Sequence, residues 1–179
     1  MEKVVDIKAY RAKAFKERAF GPWQTRFNES FDIDIRLSEL SDKTLYFLAQ
    51  PGESSSVGYY ELIMGILDLG LAAKFNYLSN REQMRVVDIH LFLADQVRFE
   101  IMRRLKWLAY LPCKTQDLVH MVQDFDILKA ACKATPPELA ASHPDYDAYC
   151  QLAHSDKEVF IRRMLRDALE TFKERLAPS

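Results

Sequence analysis

The sequence predicts an all-α fold, a bundle of about seven helices, and three observations carry that expectation. Apolar residues recur every three or four positions over most of the chain, as they do on the buried stripe of a helix. Residues with a capping side chain stand where those runs begin. The 179 residues include only five glycines, too few for a sandwich or barrel, whose strands turn about every 8–12 residues. An apolar fraction of 49% is enough for a sizeable core, and no linker-like stretch divides the chain. The expected organisation is one domain over 1–179, with an N-terminal helix and aromatic-rich arm over 1–37 and a helical core over 38–179.

The first helix is expected from about Glu2 to Phe20, stopped by Gly21 and Pro22. Phe15, Phe20, Trp23, Phe27 and Phe31 recur across its end. So many large rings require burial, on the arm's own core or on another subunit. Residues 31–37 alternate apolar and polar with period two, the one good strand pattern in the chain. A lone strand leaves backbone groups unpaired, so this segment either lies extended on helices or pairs across a dimer.

Ser41 is placed to cap a helix to about Gln50. Pro51 to Ser56 reads as a loop, and Val57 to Tyr77 as a core helix. Ser79 and Glu82 form a capping box for a long helix to about Tyr110, ended by Pro112. These two helices make a long central antiparallel hairpin around which the bundle is built. Thr115 is read as the cap of a helix over 116–133, with Leu118, Val122, Phe125, Leu128 and Cys132 inward. Thr135, Pro136 and Pro137 suggest a short helix, and another begins near Asp145. Ser155 and Glu158 form a second capping box. It opens a last helix over 156–176, with Ile161, Leu165, Ala168, Phe172 and Leu176 inward.

Composition narrows the function classes. The formal net charge is −1, which argues against a dedicated nucleic-acid binder. The cluster Arg98, Arg103, Arg104 and Lys106, beside Trp107 and Tyr110, is the strongest basic patch, but Glu100 neutralises part of it. Charge is uneven: residues 1–27 carry seven basic and three acidic groups, and residues 28–62 two and seven, a pattern that neutralises within the fold or orients a partner. Cys113, Cys132 and Cys150 lack framework or zinc-knuckle spacing, so reduced thiols and a cytoplasmic location are expected. Early charges at Lys3, Asp6 and Lys8 break any signal-peptide pattern. Glu61 and Asp68 interrupt the most apolar stretch, which argues against a membrane partner.

No phosphate-binding glycine loop, HExxH, CxxC or GxSxG motif occurs. Two acidic constellations are left. Glu61 and Asp68 lie seven apart on one helix, Asp88 and Asp95 seven apart on the next. With a turn near Leu78, Glu61 is level with Asp95 and Asp68 with Asp88, two carboxylate layers about 10 Å apart. Such layers suit a divalent metal or a small ligand; alternatively Arg85 and Arg98 pair with Asp88 and Asp95. Asp117, His120 and Asp124 share one helical face, either as metal ligands or as the wet side of that helix.

Two readings follow. One is a cytosolic helical interaction or accessory protein, homo-oligomeric and without a catalytic site, with a further protein partner left open. The other is a metal- or small-ligand-binding carboxylate bundle using Glu61, Asp68, Asp88 and Asp95, with enzymatic use left open.

Overall fold

The computed structural model of the chain describes residues 6–110, 113 and 115–178. It is 71% helical, and the all-α expectation holds. Nine α-helices are present among the described residues: α1 (Ile7–Phe27), α2 (Asp42–Ala49), α3 (Glu53–Ile66), α4 (Asn80–Arg104), α5 (Leu118–Gln123), α6 (Phe125–Ala134), α7 (Tyr146–Cys150), α8 (His154–Arg163) and α9 (Leu165–Leu176). A two-stranded antiparallel ladder joins β1 (Leu108–Tyr110) to β2 (Glu138–Leu139).

The first helix does not stop at Gly21 and Pro22 but runs through them to Phe27. An internal glycine costs about 1 kcal/mol and an internal proline about 3 kcal/mol, so packing must outweigh propensity. Its sources are visible. Trp23 is buried and donates from Nε1 to the Gly58 carbonyl at 2.7 Å. Arg26 makes a two-pronged pair with Glu61, at 2.6 and 3.0 Å. Phe20, Trp23, Phe27 and Phe31 form one aromatic cluster. Pro22 has no N–H for the Arg18 carbonyl, and that carbonyl faces the Gly65 backbone instead. A Cβ on Gly65 would collide with it and stand 3.1 Å from Ala19 Cα. Arg18 Nε in turn donates to the Gly65 carbonyl at 2.7 Å. Arg18 lies against Gly65 and Trp23 against Gly58, so α1 and α3 are antiparallel. The most extensive helix contact in the fold is this one.

The expected central hairpin of 57–77 and 79–110 is not confirmed in that form: α3 and α4 pack on each other but are shorter than expected, and α3 packs more extensively on α1. The 51–56 loop is shorter than expected, because α3 already starts at Glu53, after Gly52 at φ 126°. It ends at Ile66: Asp68 turns left-handed at φ 56°, and Leu69 N–H reaches back to the Met64 carbonyl at 2.9 Å, a Schellman stop. Residues Ala72–Tyr77 then form a 3-10 turn. The capping box at Ser79 and Glu82 is present as expected, but α4 ends at Arg104, not near Tyr110. Lys106 is left-handed at φ 63°, and Lys106 and Trp107 N–H close on the Arg103 and Met102 carbonyls, both at 2.9 Å. That second Schellman stop releases Leu108–Tyr110 as a strand. The expected starting point at Glu2 and stop at Pro112 lie outside the described residues.

Other differences are local. Residues 31–37 are not a strand. A turn at Ile33 and Asp34 is closed by Ile35 N–H on the Asp32 carbonyl at 3.1 Å, and Arg36 makes a single antiparallel bridge with Asp117. The 116–133 helix is broken at Asp124 (φ −103°), and Asp117 caps it in place of Thr115. Pro136 and Pro137 lead into β2 where a helix was expected, with Leu139 buried against the sheet's inner side. Ser155 makes no cap, since α8 begins at His154. Ser41 does cap α2, and the inner faces of 118–132 and 161–176 are those read from periodicity.

Two apolar clusters result, the larger around α1, α3, α5 and the first part of α4, the smaller around the end of α4, the sheet and α7–α9. Leu105 packs against both.

Two substitutions test these backbone constraints in opposite directions. Gly65→Ala forces backbone apart and should cost at least about 1–3 kcal/mol, seen as a Tm lowered by roughly 2–4 °C per kcal/mol. Lys106→Gly removes a left-handed strain of about 1–2 kcal/mol against a glycine entropy cost of about 0.5–1 kcal/mol. It should raise Tm slightly; a lowered Tm would contradict the stop described for α4.

Candidate functional site

One face of α4 carries Asp88, Leu91, Phe92, Asp95, Gln96 and Phe99, at successive helical contact positions. With Lys129, Cys132 and Lys133 of α6, Pro137, and Glu158 and Arg162 of α8, these residues line a cleft of about 390 Å³. Phe92 and Phe99, both buried, give it an apolar wall. Arg162 organises one side. Its guanidinium lies 2.9 Å from Asp95 and 3.0 Å from Glu158, over the Phe99 ring at 5.3 Å. Burial works against the charge of Arg162, but its hydrogen bonds and charge pairing with Asp95 and Glu158 outweigh that, and its pKa is raised. Opposite, the exposed Lys129 and Lys133, together with Asp88 on α4, have no ion-pair partner among the described residues. Lys129 rests its ammonium over the Phe125 ring at 5.3 Å.

The unusual member is Gln96. It is 4% exposed, and its Oε1 finds no hydrogen-bond partner among the described residues. An orphaned buried amide atom costs about 1–3 kcal/mol.

The four carboxylates singled out in the sequence are not brought together as two layers. Glu61 pairs with Arg26 of α1. Asp68, at its left-handed helix stop, is largely exposed and 3.5 Å from Arg18. Asp95 holds Arg162, and only Asp88 and Asp95 share a cleft. Equal height along two helices did not place these side chains face to face, because α1 covers the face of α3 that bears Glu61. The alternative pairing also differs: Arg85 reaches Asp126 of α6, and Arg98 donates to the Ala49 carbonyl. The second constellation serves the backbone. Asp117 accepts from His120 N–H at 2.8 Å and lies 2.6 Å from its ring Nδ1, whereas Asp124 sits at the α5–α6 break. Among the described residues no group of three or more His, Cys, Asp or Glu is arranged to hold a metal.

Two arginines of the basic patch are ion-paired within the fold as well. Arg103 and Arg104 both bind Glu100, and Arg104 also binds Asp42. A second and larger hollow, about 650 Å³, lies between α1, α3 and the 72–77 turn. It is mostly apolar, and its charged groups Glu17, Arg18 and Glu61 are already paired, with Lys13, Asp68 and Arg26. No helix among the described residues is long and apolar enough to cross a membrane. Sequence reasoning passed over Gln96, Lys129, Lys133, Glu158 and Arg162. Gln96 carried little local signal, since Asp95 and Arg98 also stand between Phe92 and Phe99.

Comparison with family models, curated proteins and solved structures finds no match to the chain.

The arginine pairs set an expectation for metals. A divalent ion would have to displace Arg26, Arg18 or Arg162 from its carboxylate. Manganese, iron, magnesium and zinc should each move stability by no more than about 1 kcal/mol, the range of exposed ion pairs. A Tm rise of about 5–10 °C, matching the roughly 2.7 kcal/mol expected of an ion at a hundredfold excess over its Kd, would show that the carboxylates do capture a metal.

Proposed function

We propose that this chain is a binding protein for a small polar organic molecule, held in the cleft between α4, α6 and α8. The observation behind this reading is the unpartnered Gln96 amide in the cleft wall. Native interiors rarely leave such a group unsatisfied, so it calls for a partner beyond the chain's own groups, a water, an ion or a ligand. The surrounding chemistry suggests the ligand class. The exposed ammonium groups of Lys129 and Lys133 suit a carboxylate or similar anion. Gln96 Oε1 and Asp88 both suit an N–H or O–H donor, and Phe92 with Phe99 suits a compact apolar body. Small amino or hydroxy carboxylic acids combine these features. The cleft's thiol, Cys132, has a second thiol, Cys113, beside it and not a base, and binding of the organic ligand is proposed without its chemical conversion.

A second reading keeps the interaction-protein hypothesis, on a different surface from the one the sequence suggested. The rings of Phe20, Trp23 and Phe31 are buried on the chain's own core, and Phe15 and Phe27 pack against it. The beginning of α1 is another matter. Every residue from Asp6 to Ala14 is exposed, Ile7 by 62% and Tyr10 by 66%. A helix end of this length projects roughly 13 Å and carries two apolar side chains one turn apart. A second copy of the chain, meeting it helix to helix, would cover both.

Gln96→Met tests the first reading through two measurements. Removing the orphaned amide should stabilise the free protein by about 1–3 kcal/mol, and it should abolish the Tm rise given by amino or hydroxy acids to the parent protein. A destabilised variant, or a parent protein indifferent to the whole panel, would count against a ligand at this position.

For the second reading, Ile7→Glu with Tyr10→Glu should convert an oligomer to monomer in light scattering while leaving Tm within about 0.5 kcal/mol equivalent. A parent protein already monomeric at high micromolar concentration would end it.

A further inference from the structure

Cys113 and Cys132 are nineteen residues apart in sequence, and their Sγ atoms stand 2.9 Å apart. Cys113 sits in a turn after β1 and is 1% exposed. Cys132 lies on α6, is half-buried, and lines the α4–α6–α8 cleft beside Lys129 and Lys133. Both are free thiols, as is the exposed Cys150 on α7. Sulfurs at this separation do more than pack: one thiol donates its proton to the other. The asymmetry of the site decides which. Donation from Cys113 to the Cys132 sulfur lowers the pKa of Cys132. The same shared proton, together with burial, raises that of Cys113. Lys129, one turn before Cys132, and Lys133 beside it add positive charge, which favours a thiolate. The carboxyl end of α6 works against it, because the helix dipole is negative there.

From this placement we infer that Cys113 and Cys132 form a dithiol that a hydroperoxide entering the cleft converts reversibly to an intrachain disulfide. Cys132 is the thiol that meets the oxidant. Its sulfur attacks one peroxide oxygen and the O–O bond breaks. The peroxide is reduced to an alcohol, or to water from hydrogen peroxide, and Cys132 is oxidised to a sulfenic acid. Cys113 sulfur then attacks the Cys132 sulfur. The S–S bond forms, the S–O bond breaks, and the hydroxyl leaves as water with the Cys113 proton. Two thiols and one hydroperoxide thus give one disulfide, one alcohol and one water. Closing from 2.9 Å to a bond of about 2.05 Å asks less than about 1 Å of movement at a turn and a helix side chain. This inference concerns the sulfur pair alone and stands whether or not the cleft binds a ligand.

The test uses the full chain carrying Cys150→Ser, so that only the pair can react, and one equivalent of hydrogen peroxide. The intact mass should fall by two hydrogens and both thiols should become untitratable. Non-reducing proteolysis should link the peptides that contain Cys113 and Cys132, and dithiothreitol should restore both thiols. With Cys113→Ser added, Cys132 should instead accumulate as a sulfenic acid that dimedone labels. That second variant is an additional reading; the mass and thiol counts on the first protein decide the matter even if it does not fold. Two thiols still titratable after peroxide would overturn the inference. So would a Cys132 sulfinic acid beside a free Cys113, or a disulfide only between chains.

Discussion

The buried carboxylate of Glu100 is the constraint around which the chain closes. Its side chain is fully buried on α4, where an unpaired charge would cost several kcal/mol. Arg103 meets it twice at 2.7 Å and Arg104 once at 3.0 Å. Arg104 then spends its other donors on distant parts of the chain: Asp42 at 2.7 Å, the Leu40 carbonyl at 2.7 Å and the Leu37 carbonyl at 3.0 Å. Arg175 of α9 closes the network on Asp42 at 3.3 Å. One buried acid therefore fixes the 37–40 turn, the start of α2 and the end of α9 against α4. The planar, permanently charged guanidinium suits this role, since a lysine has neither the fork geometry nor the number of donors.

The same network explains how much of the fold the sequence reveals. Glu100 with arginines three and four residues on was legible as internal neutralisation, because that contact is local to one helix. Asp42 and Arg175 were not, because nothing local marks a partner more than sixty residues away. Caps follow the same division. Ser41 and Ser79 act on backbone within their own first turn and could be read directly. The stops of α3 and α4 were hidden because Asp68 and Lys106 occupy left-handed positions that usually carry glycine. Conversely, Gly21 and Pro22 carried the usual stop signal inside a helix that continues. There the buried Trp23 and the Arg26–Glu61 pair outweigh a local penalty of about 4 kcal/mol taken together, a sum that no window of neighbouring residues displays. The alternation over 31–37 failed for a related reason: period two marks an extended strand only when another strand is present to complete it.

The carboxylates show what periodicity leaves undetermined. Spacing by seven gives the height of a residue on its helix, whereas the neighbour it faces depends on how helices are arranged around it. Because α1 lies antiparallel along α3, Glu61 meets Arg26. Across the cleft, Asp95 meets Arg162 of α8. The uneven charge of the first 62 residues is partly accounted for in this way, since basic groups of α1 answer acidic groups further along: Lys16 with Asp32, Arg18 with Asp68, Arg26 with Glu61. Part of the charge asymmetry is thus met by pairs between distant segments of the chain.

What distinguishes the α4–α6–α8 cleft is that its groups are not all settled in this way. Along α4, Glu100 and Gln96 are one turn apart and almost equally buried, yet they differ in their partners. Glu100 has two arginines. Gln96 Oε1 has nothing among the described residues. A helix stabilised by one fully satisfied buried network can tolerate an unsatisfied amide a turn away, because losing about 1–3 kcal/mol is affordable only where other contacts hold the backbone in place. Substituting an apolar residue there would relieve the deficit without disturbing Arg162 or the wall formed by Phe92 and Phe99. The amide thus lowers the stability of the free fold at a residue that lines the cleft, with its Oε1 itself buried. The proposed ligand reading rests on that combination of burial, missing partner and position in the cleft wall.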